Sequence, residues 1–370
     1  MLFRSIGIVA ENSDPDIRII DVTSRFINLK KGVSTLGNFN IDISYSKYYT
    51  DIEAVAIDIN SQNYNNDISI SGIEKFERCN MGINILSSNL GSVSISDNTF
   101  INTGFVENIV TPFHNTAISI QRPFLTARQD LDVAINGNAI TDFRIGIHAA
   151  NINGIELGTT ASNQINYNLG PAPSVVEYHA GVWLKNCNGA FIKGSGTADI
   201  ENDEEVTNTN IDFFRGIDIE DSYNCRINCN HIKNIPRSIY FTGNCNLSKM
   251  RLNKFENFEN GVELFDDQTI LPPQGEDPGT GFLPYDNEWI NGTMVEFRTF
   301  RNNSLVPNPI AWYYDNAING TLHDPEPSNT VFAFHQNNDC DCDCNTNTRL
   351  TDRDRTIGYI INDSLSFSEH

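Results

Sequence analysis

Apolar residues recur in this chain as short alternating pairs, separated by asparagine, glycine and aspartate rather than spaced with a helical period. One twelve-residue phrase returns several times: an Asn, two spaced apolar residues, then Gly and an apolar-x-apolar segment. The clearest copies begin at Asn138, Asn230 and Asn253. The tightest spacing between successive apolar-x-apolar segments runs from Gly216 to Ser238 and from Ser238 to Gly261. Self-similarity at a period of twenty-odd residues predicts a solenoid.

Each period contains three strand signals. The first is a Gly-led alternation such as Gly82-Ile83-x-Ile85, the second a pair such as Val133-x-Ile135, and the third belongs to the Asn segment that opens the next period. A chain that makes three strands and returns to the same place stacks each strand parallel to its predecessor. The pattern predicts an all-β, right-handed parallel β-helix with three parallel sheets. Ten such coils would form a rod of roughly 50 Å.

Six asparagines stand just before an apolar residue, at the expected bend between two sheets: Asn98, Asn138, Asn163, Asn230, Asn253 and Asn287. Asparagine tolerates the left-handed backbone conformation that tight bends require. Stacked asparagine side chains also hydrogen-bond along a column. We therefore expect these residues to adopt the left-handed conformation and to form a ladder along the axis.

The twelve-residue repeat is no longer found after about residue 300. The chain is therefore predicted to have two parts. Residues 1–300 form the β-helix, and residues 301–370 form a non-repetitive extension that contains aromatic residues and cysteines. The repeat pattern of alternating apolar residues begins almost at the first residue, whereas a solenoid usually starts with a polar capping segment. We therefore expect the β-helix to be truncated at its N-terminus, with any export signal missing. Insertions between coils are expected at 168–174, 201–205 and 271–278.

Charge narrows the range of partners. The chain has 47 acidic and 25 basic residues, a net charge of -22 and a pI near 4.5. Such a surface repels phosphate backbones and anionic lipids, so we predict no nucleic-acid partner and no binding to the membrane surface. No apolar run is long enough to cross a bilayer, so membrane insertion is not expected either.

The middle residue of each Gly-led strand should point outward, because side chains alternate along a strand. Stacking of the coils then places seven residues in one row: Asn84, Ser119, His148, Trp183, Asp218, Tyr240 and Glu263. Two residues further along, the same face adds Lys185 and Glu220. Aromatic side chains beside carboxylates are typical of sugar-binding grooves. Trp183, Tyr240 and Glu263 are the candidate substrate-binding residues.

A catalytic interpretation of this face competes with a purely structural one. Asp218 and Glu220 lie about 7 Å apart on one strand, a separation that glycosidase pairs use. His148 and Lys185 are the further catalytic candidates. A lyase would need Ca²⁺ held by clustered carboxylates and a base, for which Lys185 and Arg215 are the nearest residues. Any solvated sheet, however, alternates apolar and polar positions without being catalytic.

Two groups of cysteines are distinguished by their surroundings. Cys187, Cys225 and Cys245 recur at one turn of successive coils, which predicts small buried side chains stacked inside the helix, with a disulfide as the alternative. Cys340, Cys342 and Cys344 alternate with aspartate. They suit either disulfides or a soft metal ion, and thiol counts with and without reductant distinguish the two.

Over residues 6–300, the Gly-led strands and Asn phrases resemble the repeats of the pectate-lyase-like superfamily. That fold hosts lyases, hydrolases and adhesins, so the resemblance implies an architecture more than an activity. The aromatic and Cys-x-Cys tail resembles surface proteins of gliding bacteria that are exported by type IX secretion. We expect an extracellular or cell-surface bacterial protein that is non-catalytic and adhesive or polysaccharide-binding. The alternative is a polysaccharide lyase or glycoside hydrolase that acts along one sheet.

Overall fold

The computed structural model describes most of the chain up to residue 265 and a few segments beyond it. The described ranges are 6–11, 16–20, 23–37, 40–61, 66–87, 90–103, 115–123, 132–170, 178–197, 199–206, 213–265, 287–290, 298–302, 310–315 and 331–336. All regular structure within these ranges is β-strand. The described residues therefore include no helix of the length and apolarity that a membrane span needs.

The strands are short and follow one another closely along the chain. The first eleven are β1 (Ile6–Glu11), β2 (Ile17–Ile20), β3 (Arg25–Ile27), β4 (Lys31–Leu36), β5 (Ile41–Ser44), β6 (Tyr48–Thr50), β7 (Val55–Ser61), β8 (Asn66–Ser71), β9 (Lys75–Glu77), β10 (Met81–Ser87) and β11 (Leu90–Ser96). The next eleven are β12 (Thr99–Ile101), β13 (Thr116–Gln121), β14 (Asp132–Asn136), β15 (Ala139–Thr141), β16 (Ile145–Ala150), β17 (Glu156–Leu157), β18 (Gln164–Tyr167), β19 (His179–Lys185), β20 (Phe191–Lys193), β21 (Ile200–Asn202) and β22 (Phe214–Glu220). The last are β23 (Arg226–Asn228), β24 (His231–Lys233), β25 (Arg237–Thr242), β26 (Lys249–Arg251), β27 (Lys254–Glu256), β28 (Asn260–Leu264), β29 (Glu288–Ile290), β30 (Arg298–Asn302), β31 (Ile310–Asp315) and β32 (Val331–Gln336).

Nearly all of these strands form three long sheets in which every third strand pairs in parallel with the next. Sheet A has the order β1-β4-β7-β10-β13-β16-β19-β22-β25-β28-β30. Sheet B has the order β2-β5-β8-β11-β14-β17-β20-β23-β26, and sheet C has the order β3-β6-β9-β12-β15-β18-β21-β24-β27-β29. The chain thus winds A to B to C and returns one rung higher. This is the predicted right-handed parallel β-helix, and its eleven rungs in sheet A span about 50 Å.

Isoleucine columns fill the interior between the three sheets. Ile83, Ile118 and Ile147 are paired in register on adjacent strands of sheet A, and each is fully buried. Branched side chains suit such columns because they pack well against neighbours on a pleated surface. The Gly-led alternation of the sequence is therefore the inward face of sheet A.

The glycine that opens these strands lies where two sheets approach each other. A Cβ atom on Gly82 would stand 2.5 Å from the carbonyl oxygen of Ala117 and 2.7 Å from the Phe100 ring in sheet C. Real Cβ atoms do not come so close, and a backbone oxygen cannot easily move away. Glycine is thus required at this rung by close packing rather than by backbone conformation.

An aromatic stack inside the N-terminal coils was not predicted. Phe26, Tyr49, Phe76 and Phe100 lie on successive strands of sheet C, with ring centroids 4.7, 5.0 and 4.4 Å apart. The interplanar angles are 17° or less. The rings are therefore held parallel by the register of the strands that carry them.

The predicted asparagine ladder is present. The amide nitrogen Nδ2 of Asn138 donates to Asn163 Oδ1 at 2.9 Å, and Asn253 Nδ2 donates to Asn287 Oδ1 at the same distance. Asn98 donates to Asn138 in the same way at 3.0 Å. Each side chain thereby satisfies backbone and side-chain groups of the next rung at the turn from sheet B to sheet C.

The backbone conformation expected for these asparagines was wrong. The left-handed φ falls on the residue before the ladder position, at Asp97, Gly137, Cys229 and Leu252. The bend is therefore made one residue earlier, and the ladder asparagine is left free to direct its amide along the axis. A leucine is among the four, so this conformation does not depend on a glycine, asparagine or aspartate at that position.

Cys187, Cys225 and Cys245 are buried free thiols at the turn after sheet A, as the interior-stack interpretation predicted. They do not form one column, however. Strand register places Cys187 beside Ser222, whose Oγ accepts the Cys187 amide at 2.7 Å, and places Cys225 beside Ala190. Burial raises the pKa of the Cys187 thiol to about 12. These thiols behave as small apolar side chains.

The predicted division at residue 300 stays a prediction. Sheet A continues through β30, and β31 and β32 pair in parallel as a separate two-stranded sheet. The insertion at 201–205 lies within the described residues. Cys340, Cys342 and Cys344, the insertion at 271–278 and part of that at 168–174 lie outside them.

Candidate functional site

The outward row predicted from the alternation is present in sheet A. Strand register pairs Asn84, Ser119, His148, Trp183, Asp218, Tyr240 and Glu263 in that order on successive rungs. Register also extends the row towards the N-terminus to Asp58 and Ser34, which the sequence reasoning did not include. Lys185 and Glu220 are paired beside it, as predicted. We call these side chains the sheet-A outer face.

Much of this face is enclosed rather than solvated. His148, Asp218, Tyr240 and Glu263 are each 3% exposed or less, whereas Trp183, Lys185 and Glu220 are partly exposed. Alternation predicts the direction in which a side chain points, but it does not predict what lies over it. The accessible part of the outer face therefore includes the patch formed by Trp183, Lys185 and Glu220. Towards the N-terminus, Ser34, Asp58 and Asn84 are also partly exposed.

Asp218 lies at the centre of a buried polar cluster. Its Oδ2 accepts hydrogen bonds from the Tyr178 hydroxyl and from the Arg215 guanidinium, which also forms an ion pair with it. The Arg215 guanidinium carbon lies 3.5 Å from the Tyr240 ring centroid and 5.2 Å from that of Tyr178. The cation is thus held between two aromatic faces and one carboxylate.

Burial dominates the electrostatics of Asp218. Desolvation raises the pKa of its carboxyl above the ordinary value, although Arg215 and the Tyr178 hydrogen bond act in the opposite direction. Burial likewise raises the pKa of Tyr240 to about 12, so its phenol keeps its proton. The Asp218 Oδ1 atom is buried and has no hydrogen-bond partner among the described residues.

Glu220 and Glu263 each have a cationic partner on an adjacent rung. Lys185 Nζ lies 2.6 Å from Glu220 Oε1, in a pair of which both members are partly exposed. Arg237 forms an ion pair with Glu263 and is almost completely buried, and Asn260 Nδ2 donates to the same Glu263 oxygen at 3.1 Å. Both carboxylates are therefore neutralised within the sheet.

His148 packs against Trp183, with ring centroids 4.5 Å apart and planes inclined by 35°. Its Nδ1 lies 3.5 Å from Ser119 Oγ and 3.4 Å from Gln121 Nε2. Burial lowers the pKa of His148 to about 4, with a smaller contribution from the Lys185 charge. The ring is thus neutral at neutral pH. Tyr178 covers the edge of Trp183 at 5.3 Å between centroids.

Sequence reasoning missed four residues with polar contacts on sheet A: Tyr178, Arg237, and the ion-paired Lys31 and Asp58. Lys31 and Arg237 occupy the same column of sheet A, and each reaches a carboxylate on the following rung. A signal existed in the sequence, since both cations stand just before the Gly-led position of their strand. The pairing becomes visible only when the rungs are aligned.

The chemistry of this face follows from these contacts. Lys185 and Arg215, which the sequence offered as lyase bases, are both in ion pairs. Within the described part of the chain, no three His, Cys, Asp or Glu side chains are grouped so that they could hold a metal ion. The arrangement is suited to hydrogen bonding and stacking at Trp183, Lys185 and Glu220.

Comparison of the chain with protein-family models, with curated proteins and with solved structures gave no match in any of the three.

Proposed function

We propose that this β-helix is a non-catalytic surface or adhesive protein that binds polysaccharide on the sheet-A outer face. The observation that carries the proposal is the pairing of the candidate catalytic carboxylates. Asp218 is bonded to Arg215 and Tyr178, and Glu220 to Lys185. A glycosidase needs one carboxyl group that gives a proton to the leaving oxygen and one that meets the sugar or water. Groups engaged in these pairs are poorly placed for either role.

The accessible patch supports binding. Trp183 offers part of an indole ring for stacking on a sugar face, and Lys185 and Glu220 stand beside it with a polar donor and acceptor. Tyr240 and Glu263, the other candidate substrate-binding residues, are buried and hold the cations Arg215 and Arg237. In this proposal they support the surface from below and make no contact with the sugar.

The setting we propose is extracellular, on the surface of a bacterium. Parallel ladders stacked on a dry core resist local opening and proteolysis, which suits an exposed rod. The strongly acidic composition keeps such a surface away from nucleic acids and anionic lipids. Export through type IX secretion is part of the same proposal.

A second candidate function is cleavage of the bound polysaccharide, and Asp218 is the observation that favours it. A buried carboxyl group with a raised pKa is the usual form of a general acid, and its Oδ1 lacks a partner among the described residues. Glu220 lies two residues away on the same face. In this alternative Asp218 donates the proton and Glu220 is the second carboxylate.

The test is a binding and cleavage panel of neutral and acidic polysaccharides. We expect at least one polymer to bind and Trp183→Ala to weaken that binding by about tenfold, because one aromatic platform contributes on the order of 1–2 kcal/mol. Phe191→Ala is the matched control, since Phe191 is a partly exposed outward aromatic on sheet B. Unsaturated products or new reducing ends, lost in Asp218→Asn, would replace the binding function by the catalytic one. Absence of binding to every polymer would overturn the proposal.

A further inference from the structure

Between β4 and β28, each cationic side chain of sheet A is matched by one anionic side chain. Apart from the two histidines, His148 and His179, strands β4 to β28 of this sheet carry four cationic and four anionic side chains. They form four pairs: Lys31 with Asp58, Lys185 with Glu220, Arg215 with Asp218, and Arg237 with Glu263. This stretch of the sheet therefore holds no cation that is not already matched by a carboxylate of its own.

From this balance we infer that the polysaccharide bound at the sheet-A outer face is uncharged, rather than a polyuronate or a sulfated polymer. The inference rests on the proposed binding function and names its ligand class. Recognition of a uronate carboxylate uses a charge-assisted bond from an arginine or lysine. Here Lys185 could offer a further hydrogen only with the Glu220 carboxylate beside it, which repels an incoming anion and offsets the attraction of the ammonium. Arg215 would have to leave Asp218, and the buried carboxylate would then be left uncompensated.

The two buried ion pairs, Arg237–Glu263 and Arg215–Asp218, cannot be separated to bind a ligand without a large loss of stability. Arg237 and Glu263 are 4% and 2% exposed, and Arg215 and Asp218 are 15% and 3% exposed. A buried charge that loses its partner is strongly destabilising. The net charge of -22 adds a long-range repulsion of any polyanion that approaches.

The exposed pair matches sugar hydroxyls instead. The Lys185 ammonium has three hydrogens and gives one to Glu220, and the Glu220 carboxylate has lone pairs that this single bond does not use. A hydroxyl group both donates and accepts, so it can bond to either partner without separating the pair. Trp183 lies two residues from Lys185 on the same strand, β19, so the patch offers a stacking surface and two hydroxyl sites.

The test compares polymers that differ only in charge. Polygalacturonate, alginate and hyaluronan are each paired with the same polymer after its carboxyl groups have been reduced to primary alcohols, and binding is measured by isothermal titration calorimetry at two salt concentrations. We expect a reduced polymer to bind at least tenfold more tightly than its parent, with an affinity that salt does not change. A parent polymer that binds as tightly as its reduced form, with an affinity that salt weakens, overturns the inference but leaves the proposed function standing. Binding of none of the six overturns both.

A charge variant gives a second readout. Glu220→Gln releases Lys185 from its carboxylate partner. We therefore expect the ratio of the affinity for a polyuronate to the affinity for its reduced form to rise at least tenfold. Glu201→Gln is the matched control, since it removes a partly exposed outward glutamate from sheet C and should leave the ratio at its wild-type value. An unchanged ratio in Glu220→Gln would show that Lys185 does not decide the ligand's charge.

Discussion

Burial shifts the pKa of single residues on the sheet-A outer face. His148 and Asp218 both point away from the core, yet each is about as enclosed as a core residue. Desolvation disfavours the charged form of both, so the pKa of His148 is lowered and that of Asp218 is raised. At these two positions the sequence is polar, but the surroundings disfavour a charge.

This makes stability depend on pH through His148. The folded ring has a pKa of about 4 against an ordinary value of 6.5, so protons bind the unfolded chain more readily. The stability associated with the neutral ring is complete above pH 6.5 and is lost as the pH falls towards 4. We expect the His148 contribution to decrease by about 3 kcal/mol over that range.

His148→Phe measures this contribution, because phenylalanine can still pack on Trp183 but cannot take up a proton. Urea unfolding at several pH values should show a smaller loss of stability on acidification in His148→Phe than in the wild type. Gln121→Met is the control, since it removes a neighbour of the ring but leaves the ring itself able to titrate. Identical pH slopes in the wild type and His148→Phe would contradict the assignment.

At the scale of elements, the asparagine ladder stabilises the turns between sheets B and C. Asn253 is fully buried, accepts from both the backbone and side-chain nitrogens of Asn230, and donates to Ile227 O at 2.7 Å and to Asn287 Oδ1 at 2.9 Å. One side chain therefore serves three rungs. Its removal leaves several buried polar groups without their partners, which is the costly kind of hydrogen-bond loss.

We expect Asn253→Ala to lower the free energy of unfolding by about 2–4 kcal/mol. Chemical denaturation monitored by circular dichroism gives the measurement. Asn246→Ala removes an exposed asparagine from the turn between β25 and β26 of the same coil and should cost less than about 0.5 kcal/mol. Equal losses in the two variants would mean that the ladder contributes nothing beyond ordinary surface bonds.

The turns also show where prediction from sequence succeeds and where it stops. The ladder was predictable because an asparagine recurs at one place in each repeat, and the outward row because side chains alternate. The residues with a left-handed backbone were not predictable from the sequence. Asp97, Cys229 and Leu252 share no side-chain chemistry, and only the path of the backbone makes their positions equivalent. The Arg237–Glu263 pair links residues 26 apart, and its partners become evident only once the rungs are in register.

At the scale of the whole molecule, each coil contacts the coil before it and the coil after it. The aromatic stack of Phe26, Tyr49, Phe76 and Phe100 follows this rule, since each ring touches its nearest neighbours. On the next rung the column continues with Ile140, which ends the ring stack, and Phe143 meets the Phe100 ring edge-on at 6.2 Å. A solenoid of this kind has a stability that is approximately a sum over coils and the interfaces between them.

Damage to one coil should therefore remain local. Phe76→Ala removes a fully buried ring from the middle of the stack and should cost about 3–5 kcal/mol. Hydrogen exchange followed by mass spectrometry should show amides in β6, β9 and β12 exchanging at least about a hundredfold faster, since every 1.4 kcal/mol is a factor of ten. Amides in β22, β25 and β28 should keep their wild-type rates.

Phe255→Ala, in the distant coil that contains β27, should give the opposite pattern and is the matched control. A uniform acceleration along the whole chain in either variant would show that the rod unfolds as a single cooperative unit, and that its coils are coupled more strongly than nearest-neighbour contacts require.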